Sequence, residues 1–416
     1  MITNILIDGN FISFSEFAMF SSYGKTKDPL RRDRDQASFI QGLSSRLFYI
    51  LNSLPKGGRV VFCLDSRSWR KEFMEKYKES RENEKGDKGI MDNETKQLFY
   101  SLLAEFGEVL TLAGIHMSKV QGAEGDDLLF KWARYFNDKG ENCIIISGDY
   151  DMTQTVQGPE SPWTIVWSNK STNNKMFTSA GWIDAIEEPQ SNTVFEFNVT
   201  HDQSNLSKLI RDSGTSIQVM DVPHYVLHKI LIGDDGDDVP SSWKMKTETS
   251  KGEEKWVRVT DKKAEKIIEV ITYPPSDHSL DCKEWLNVIL HAIDPKAKSI
   301  LDYTQTNINV AERMDEISGV LLRVMGDVDD AELRKQVTEN ILRNAKLVWL
   351  REEMLPFNVN QMINENIEKS INTVKASNRA KWNKNALLEG TRFGKAQIAP
   401  RGFDPFSLID LPDEEI

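Results

Sequence analysis

A chain of 416 residues can bury a large core and is long enough for two domains. Its 39% hydrophobic and 28% charged content is that of a soluble globular protein, and no apolar run reaches the length of a transmembrane helix. The formal net charge of −12 speaks at first sight against a nucleic-acid partner. Acids gathered round metal ions are neutralised locally, however, so the distribution of charge matters more than its sum.

The first residues read as a strand rather than a signal peptide. From there to about residue 151, apolar strands alternate with amphipathic helices, the signature of an α/β domain on a largely parallel sheet. The clearest strands are Asn4–Asp8, Arg59–Asp65 and Cys143–Asp149, with Ile115–Val120 and Trp163–Trp167 weaker. Helices are expected over Gln36–Leu54, Lys71–Arg81, Asn93–Leu112 and Asp126–Phe136. Between the first strand and the second helix-forming run, GKTKDPLRRDRD reads as a loop with Lys25, Lys27, Arg31, Arg32 and Arg34, either solvated or touching nucleic acid. Cys63, Cys143 and Cys282 form no CxxC pair and read as buried thiols of a reducing cytoplasm.

Residues 158–222 are polar, rich in Ser, Thr and Asn, and read as an insertion. From Val222 the chain is mainly helical, with helices expected over Asp261–Ile271, Trp285–Ile293 and Asp329–Trp349. Residues 369–401 carry eight Lys or Arg against one acid, Glu389, with Trp382 and Phe393 interleaved; either a surface helix with a linker or a nucleic-acid contact fits. The final stretch, FDPFSLIDLPDEEI, is acidic and partly apolar. This gives an α/β domain over 1–222, a helical domain over 223–368 and a terminal segment over 369–416.

Three strands end on an acid: Asp8, Asp65 and Asp149. In open parallel sheets ligands bind beyond the carboxyl ends of the strands, so these groups converge on one crevice. In GAEGDD, Glu124, Asp126 and Asp127 open a helix whose buried face is Leu128, Leu129, Trp132, Ala133 and Phe136. Helix capping accounts for one or two of these acids, hardly for three. In GDYD, a continuing strand would put Asp149 and Asp151 on one side. GDDGDD places Asp234, Asp235, Asp237 and Asp238 within five residues; Asp234 and Asp237 are the site candidates and the other two read as turn residues. Glycine at the third loop position excludes an EF-hand. So many carboxylates without His or Cys select hard cations, Mg²⁺ or Mn²⁺, and two such ions suit hydrolysis of a phosphodiester. A rival metal signal, His224 and His228 in HYVLH, has helical spacing but lacks a third ligand in the sequence.

The ordered set LIDGN, CLDS, GAEGDD, GDYD and GDDGDD resembles the 5′-nuclease superfamily, which includes flap endonucleases and the 5′–3′ exonucleases. RKEFMEKYKESR is similar to that family's basic stretch after the second catalytic Asp, and the helical C-terminal part is most like the T-even phage ribonuclease H branch. The resemblance implies a PIN-like α/β nuclease domain with a mostly parallel central sheet, and a helical arch over about 71–112. A mainly helical C-terminal domain with an irregular helix–three-turn–helix-like element would follow. It implies two Mg²⁺ (or Mn²⁺) ions, the first held mainly by Asp8, Asp65, Glu124 and Asp126, the second mainly by Asp149, Asp151, Asp234 and Asp237. Asp127 would act behind them or through water. Lys78 and Arg81 would meet the scissile phosphate, supported by Arg70, while Lys244, Lys246 and Lys251 would hold duplex phosphates. The family's GIGxK pattern is missing after Pro240, which leaves a K⁺ ion in doubt.

The implied activity is 5′→3′ removal of RNA primers or flaps from branched or nicked DNA or RNA–DNA hybrid by a monomer in the cytoplasm, that of the host if phage-encoded. The tail would offer a short motif to a sliding clamp or a single-stranded-DNA-binding protein. Two other readings stay open: a DNA-structure-binding homologue without catalysis, and a PIN-type endoribonuclease.

Overall fold

The computed structural model describes residues 2–24, 29–52, 54, 57–80, 93–158, 162–168, 174–179, 215–248, 254–272, 282–293 and 331–371. The chain divides into two compact units. The first contains 1–69, 85–220 and 357–416, the second 70–84 and 221–356. Residues 70–84 thus group with the helical region and 357–371 with the sheet, a division the linear reading at 222 and 368 does not contain.

The first unit is built on a seven-stranded sheet. Its strands are β1 (Thr3–Asp8), β2 (Val60–Cys63), β3 (His116–Ser118), β4 (Asn142–Ile146), β5 (Thr164–Ser168), β6 (Lys175–Thr178) and β7 (Ser216–Val219), in the spatial order 3-2-1-4-5-6-7. All neighbours are parallel except β5 and β6. β1, β2 and β4 are buried along their whole length, as central strands covered on both faces must be. The helices are α1 (Gly9–Gly24), α2 (Pro29–Asn52), α4 (Asn93–Leu112), α5 (Gly125–Asp138) and α10 (Phe357–Ile371). Ile5, Ile7, Phe62, Ile144 and Ile146 of the sheet pack with Phe99 and Phe106 of α4 and Leu43 and Leu47 of α2 in one core.

Arg31, Arg32 and Arg34 lie in α2, which starts seven residues earlier than the amphipathic pattern suggests; Lys25 and Lys27 fall outside the described residues. The region read as an insertion supplies three strands, β5 to β7. Residues 180–214 within it are not among those described.

The second unit contains the short helix α3 (Arg70–Phe73), α6 (Val222–Ile232), the hairpin of β8 (Lys244–Glu248) and β9 (Glu254–Arg258), α7 (Asp261–Thr272), α8 (Cys282–Ile293) and α9 (Ala331–Val348). Leu227 and Ile230 of α6 share a core with Trp243, Ile267, Leu286, Ile341 and Trp349. The expected helix over Lys71–Arg81 is broken. α3 ends at Phe73, and Lys78 takes a left-handed φ of 57°. A continuous α-helix forbids that conformation in an L-residue. Between α6 and α7, where a helix–three-turn–helix-like element is expected, stands the antiparallel β8–β9 hairpin. Residues 81–92 of the expected arch and the whole terminal segment beyond 371 lie outside the described residues.

Candidate active site

β1 sits between β2 and β4, so strand order reverses there and the chain leaves the sheet on opposite sides. At such a switch point the carboxyl ends of the strands bound a crevice. Asp8 ends β1, Asp65 follows β2 by two residues, and Asp149 follows β4 by three.

Asp8 is buried, and both its oxygens are held: Phe11 N–H donates to Oδ1 at 2.9 Å and Ser147 Oγ–H to Oδ2 at 2.7 Å. Burial pushes its carboxyl up to about 7. The two hydrogen bonds oppose this, while the neighbouring charges of Asp65 and Asp149 add to it. Asp65 is clamped by Asn10, whose Nδ2 donates to Oδ2 and whose Oδ1 accepts from the Asp65 N–H at 3.3 Å. Gly125 N–H donates to Asp65 Oδ1 at 2.6 Å. A Cβ at 125 would stand 3.0 Å from that oxygen, so a side chain there would push the Asp65 carboxylate aside. Asn10 and Ser147 were not singled out in the sequence, although LIDGN and ISGD contain them; a polar residue two places from a strand-terminal acid is the signal that finds both.

Glu124 and Asp126 flank Gly125 at the start of α5, Glu124 buried and Asp126 half-buried. Asp127, 1% exposed, does different work. Its Oδ2 accepts from Glu124 N–H at 3.1 Å and from Trp69 Nε1–H at 3.2 Å, so it caps the helix and fixes Glu124. β4 does not continue through GDYD. Asp149 instead caps a 3₁₀-helix over Tyr150–Thr155 and accepts from Asp151 N–H at 2.9 Å, with Ser147 Oγ accepting from Asp149 N–H at 3.0 Å. A turn that satisfies its first N–H groups locally prevails over alternation here.

The donors fit a hard divalent cation. Cys63, at the end of β2, is fully buried, and burial together with the charges of Asp8 and Asp126 pushes its thiol well up, so it stays protonated. Oxygen ligands from carboxylates remain, the set that Mg²⁺ and Mn²⁺ take.

The second unit carries the GDDGDD loop. Gly233 closes α6 with φ 82°, where a Cβ would strike Val239 O at 2.3 Å. Asp234 and Val239 exchange backbone hydrogen bonds at 2.8 and 2.9 Å, closing the loop on a 3₁₀ turn over Asp235–Asp237. Asp234 Oδ1 accepts from Gly236 N–H at 2.9 Å, and Lys229 Nζ lies 2.6 Å from Oδ2. Asp237 Oδ2 accepts from Tyr77 O–H at 2.9 Å and has Lys78 Nζ at 3.6 Å. Asp235 is exposed, as expected, whereas Asp238 accepts from Ser80 N–H at 2.7 Å. Lys229 and Tyr77 were missed because nothing in local spacing couples them to the loop acids.

Arg70 is 3% exposed and donates from Nε to Leu347 O at 2.9 Å, a packing role beside α9. Lys244 and Lys246 lie in β8, paired with Arg258 and Trp256. Arg81 and Lys251 fall outside the described residues.

Part of the chain is similar to known proteins. The family model of the 5′–3′ exonuclease N-terminal, resolvase-like domain matches residues 3–186. A 5′–3′ exonuclease of Buchnera aphidicola subsp. Schizaphis graminum is 23% identical over 154 residues, 36% of this chain and 48% of that protein, so the matched part spans about half the length of that relative. Among solved structures, T5 5′-exonuclease with divalent metal ions (zinc) bound aligns over 90% of this chain and 100% of that one, at 14% identity and TM-score 0.48. Human GEN1 in complex with Holliday junction DNA aligns over 89% and 72%, at 13% identity and TM-score 0.32. With its acids in the order and at the strand ends described, the chain is similar over residues 3–186 to the 5′–3′ exonuclease N-terminal, resolvase-like domain, and the sheet these residues build is mostly parallel.

Proposed function

We propose that this protein is a divalent-metal-dependent 5′→3′ nuclease that removes flaps or RNA primers from branched or nicked DNA and RNA–DNA hybrid. One observation carries the reading: Asp8 is buried at the switch point of the sheet, with its carboxyl pushed up to about 7 by burial and then by Asp65 and Asp149. Asp8, Asp65 and Asp149 stand at or just beyond the carboxyl ends of neighbouring parallel strands, and carboxylates gathered this way suit a divalent cation.

Asp8, Asp65, Glu124 and Asp126 would mainly hold one Mg²⁺ or Mn²⁺ ion; Asp149, Asp151, Asp234 and Asp237 would mainly hold a second. Such ions supply, when bound, a water acidic enough to attack phosphorus at neutral pH and a positive charge for the leaving oxygen. The chain's own residues do the positioning. Ser147 and Phe11 N–H aim Asp8, Asn10 and Gly125 N–H aim Asp65, and Asp127 holds Glu124 at the start of α5. Lys78 and Arg81 would draw the 5′-side phosphates. Lys244, Lys246 and Lys251 of the hairpin region would add duplex contacts, each of which lowers binding as salt rises.

The test uses end-labelled 5′-flap, nicked duplex, RNA–DNA hybrid and single-stranded RNA, each with and without Mg²⁺. Mg²⁺-dependent release from the 5′ end of flap or hybrid is expected, leaving a 5′-phosphate. Cleavage of single-stranded RNA alone would make the protein an endoribonuclease, and binding without any cleavage would make it a structure-binding homologue; either result sinks the proposal.

A further inference from the structure

The histidine pair of HYVLH, short of a third ligand in the sequence, gains one within the second unit. His224 and His228 stand one turn apart on α6, their rings within 13° of parallel and 6.3 Å apart between centroids. Both turn Nε2 toward the same carboxylate on α7. His224 Nε2 lies 2.7 Å from Glu265 Oε2, and His228 Nε2 lies 3.6 Å from Glu265 Oε1. Asp261, one turn earlier on α7, brings Oδ1 to 3.6 Å from His228 Nε2. Ligand atoms of a tetrahedral zinc site stand about 2.0–2.1 Å from the metal and hence roughly 3.3 Å from one another. The two His228 separations lie near that value and the His224–Glu265 one is shorter; with ring centroids 6.3 Å apart, the imidazoles must turn toward each other for both Nε2 atoms to meet one ion. The His228 side chain is 18% exposed and the others more, so an ion could reach the cluster from solvent.

This donor set differs in kind from the acids at the strand ends. Two imidazoles with one or two carboxylates favour zinc, cobalt, nickel or copper over Mg²⁺. None of the four residues has a part in the proposed cleavage of phosphodiesters. We propose that His224, His228 and Glu265, with Asp261 as a fourth ligand, form a binding site for a transition-metal ion, zinc foremost, that staples α6 to α7. The ligands lie at the two ends of a 41-residue span that contains the GDDGDD loop and the β8–β9 hairpin. A bond between those ends restricts the span, so metal would stiffen the hairpin region without touching it.

A plain ion pair between imidazolium and carboxylate is the competing account, and its pH response is opposite. The pair needs protonated rings, whereas a metal needs neutral rings and competes with protons for them. The groups paired with the two rings are Glu265 and Asp261, both acidic.

The experiment takes the full chain, stripped of metal and then held in saturating Mg²⁺ so that the carboxylate groups are occupied. Zn²⁺ is titrated by calorimetry, and Co²⁺ in parallel by visible absorption. One further equivalent of Zn²⁺ is expected, with intense tetrahedral Co²⁺ bands and a higher melting temperature. In H224Q/H228Q the additional equivalent and the bands should vanish, and Glu265→Gln should weaken Zn²⁺ binding at least tenfold while keeping both rings. Equal stoichiometry in wild type and the double variant, or tighter ring–carboxylate association at pH 5 than at pH 8 with no Zn²⁺ uptake, would overturn the site. Should the double variant fail to fold, Glu265→Gln with the histidine NMR resonances followed during Zn²⁺ addition decides; unshifted resonances in wild type refute the proposal. These readouts are independent of whether the protein cleaves nucleic acid.

Discussion

The two acidic regions of this protein solve the same electrostatic problem by different means. At the switch point of the sheet, backbone geometry fixes the carboxylates, because the ends of adjacent parallel strands lie side by side whatever the charges prefer. There burial, with the charges of Asp65 and Asp149 added to it, surfaces as a displaced proton affinity, with Asp8 held to about 7. The GDDGDD loop is local and compact, and each of its site acids has an ammonium beside it: Lys229 on Asp234 at 2.6 Å and Lys78 on Asp237 at 3.6 Å. A site fixed by a sheet stores its strain, whereas a site on a loop finds counter-ions.

The strongest way to break this contrast is Asp8→Asn. Mg²⁺-dependent cleavage should fall by on the order of 10³-fold, beyond the 10–100-fold typical of losing a residue behind a ligand. The same variant, in EDTA, checks the stored strain. A folded-state pKa near 7 against an unfolded value near 3.9 means that the folded chain binds the additional proton between those limits. Wild-type stability should therefore drop by up to about 4 kcal/mol as pH rises from about 4 to about 7. Asp8→Asn should flatten that slope in urea titrations and be the more stable protein at pH 8. A slope that survives the substitution would assign the strain to another group.

Next in size, Asp237→Asn should cut turnover roughly 10²-fold while flap binding in Ca²⁺ persists, since Tyr77 can still bond the amide. Full activity in this variant would reduce Asp237 to a turn residue. Asn10→Ala should cost about 10–100-fold in activity by loosening Asp65, with a higher Mg²⁺ requirement as the distinguishing sign. Lys229→Met tests the loop side. Leaving Asp234 without its ammonium should cost about 1–2 kcal/mol in metal-free protein, and less with Mg²⁺ present. Equal losses with and without metal would show that Lys229 does not substitute for a cation.

Much of the frame was legible because it rests on patterns that local sequence carries. β1, β2 and β4 are apolar runs bounded by an acid, α4 spans the predicted Asn93–Leu112, and α7 and α8 match their periodicity within a few residues. β6 and β7 were not legible. They are four residues long, β7 is half-exposed, and pairing with a neighbour rather than an apolar run makes them strands. The turn at Asp149 and the left-handed Lys78 depend on side-chain capping and on the Asp237 carbonyl, which accepts from Lys78 N–H at 3.0 Å. In the site, the strand-end acids could be read from position alone. Of the partners, Asn10 and Ser147 lie two places from a strand-terminal acid and carry that signal, whereas Tyr77 carries none, because it meets the loop acid Asp237 across 160 positions.

The sheet unit is also discontinuous in the chain, and that bears on its synthesis. α10 belongs to it: Ser118 Oγ donates to Asn366 Oδ1 at 2.9 Å, and Val359, Ile363 and Ile367 are buried. At about 5–20 residues per second, roughly 20–70 s separate the emergence of β1 from that of α10. During that interval the ribosome holds a sheet whose helix α10 has yet to be made, while the intervening helical unit is translated and free to fold first.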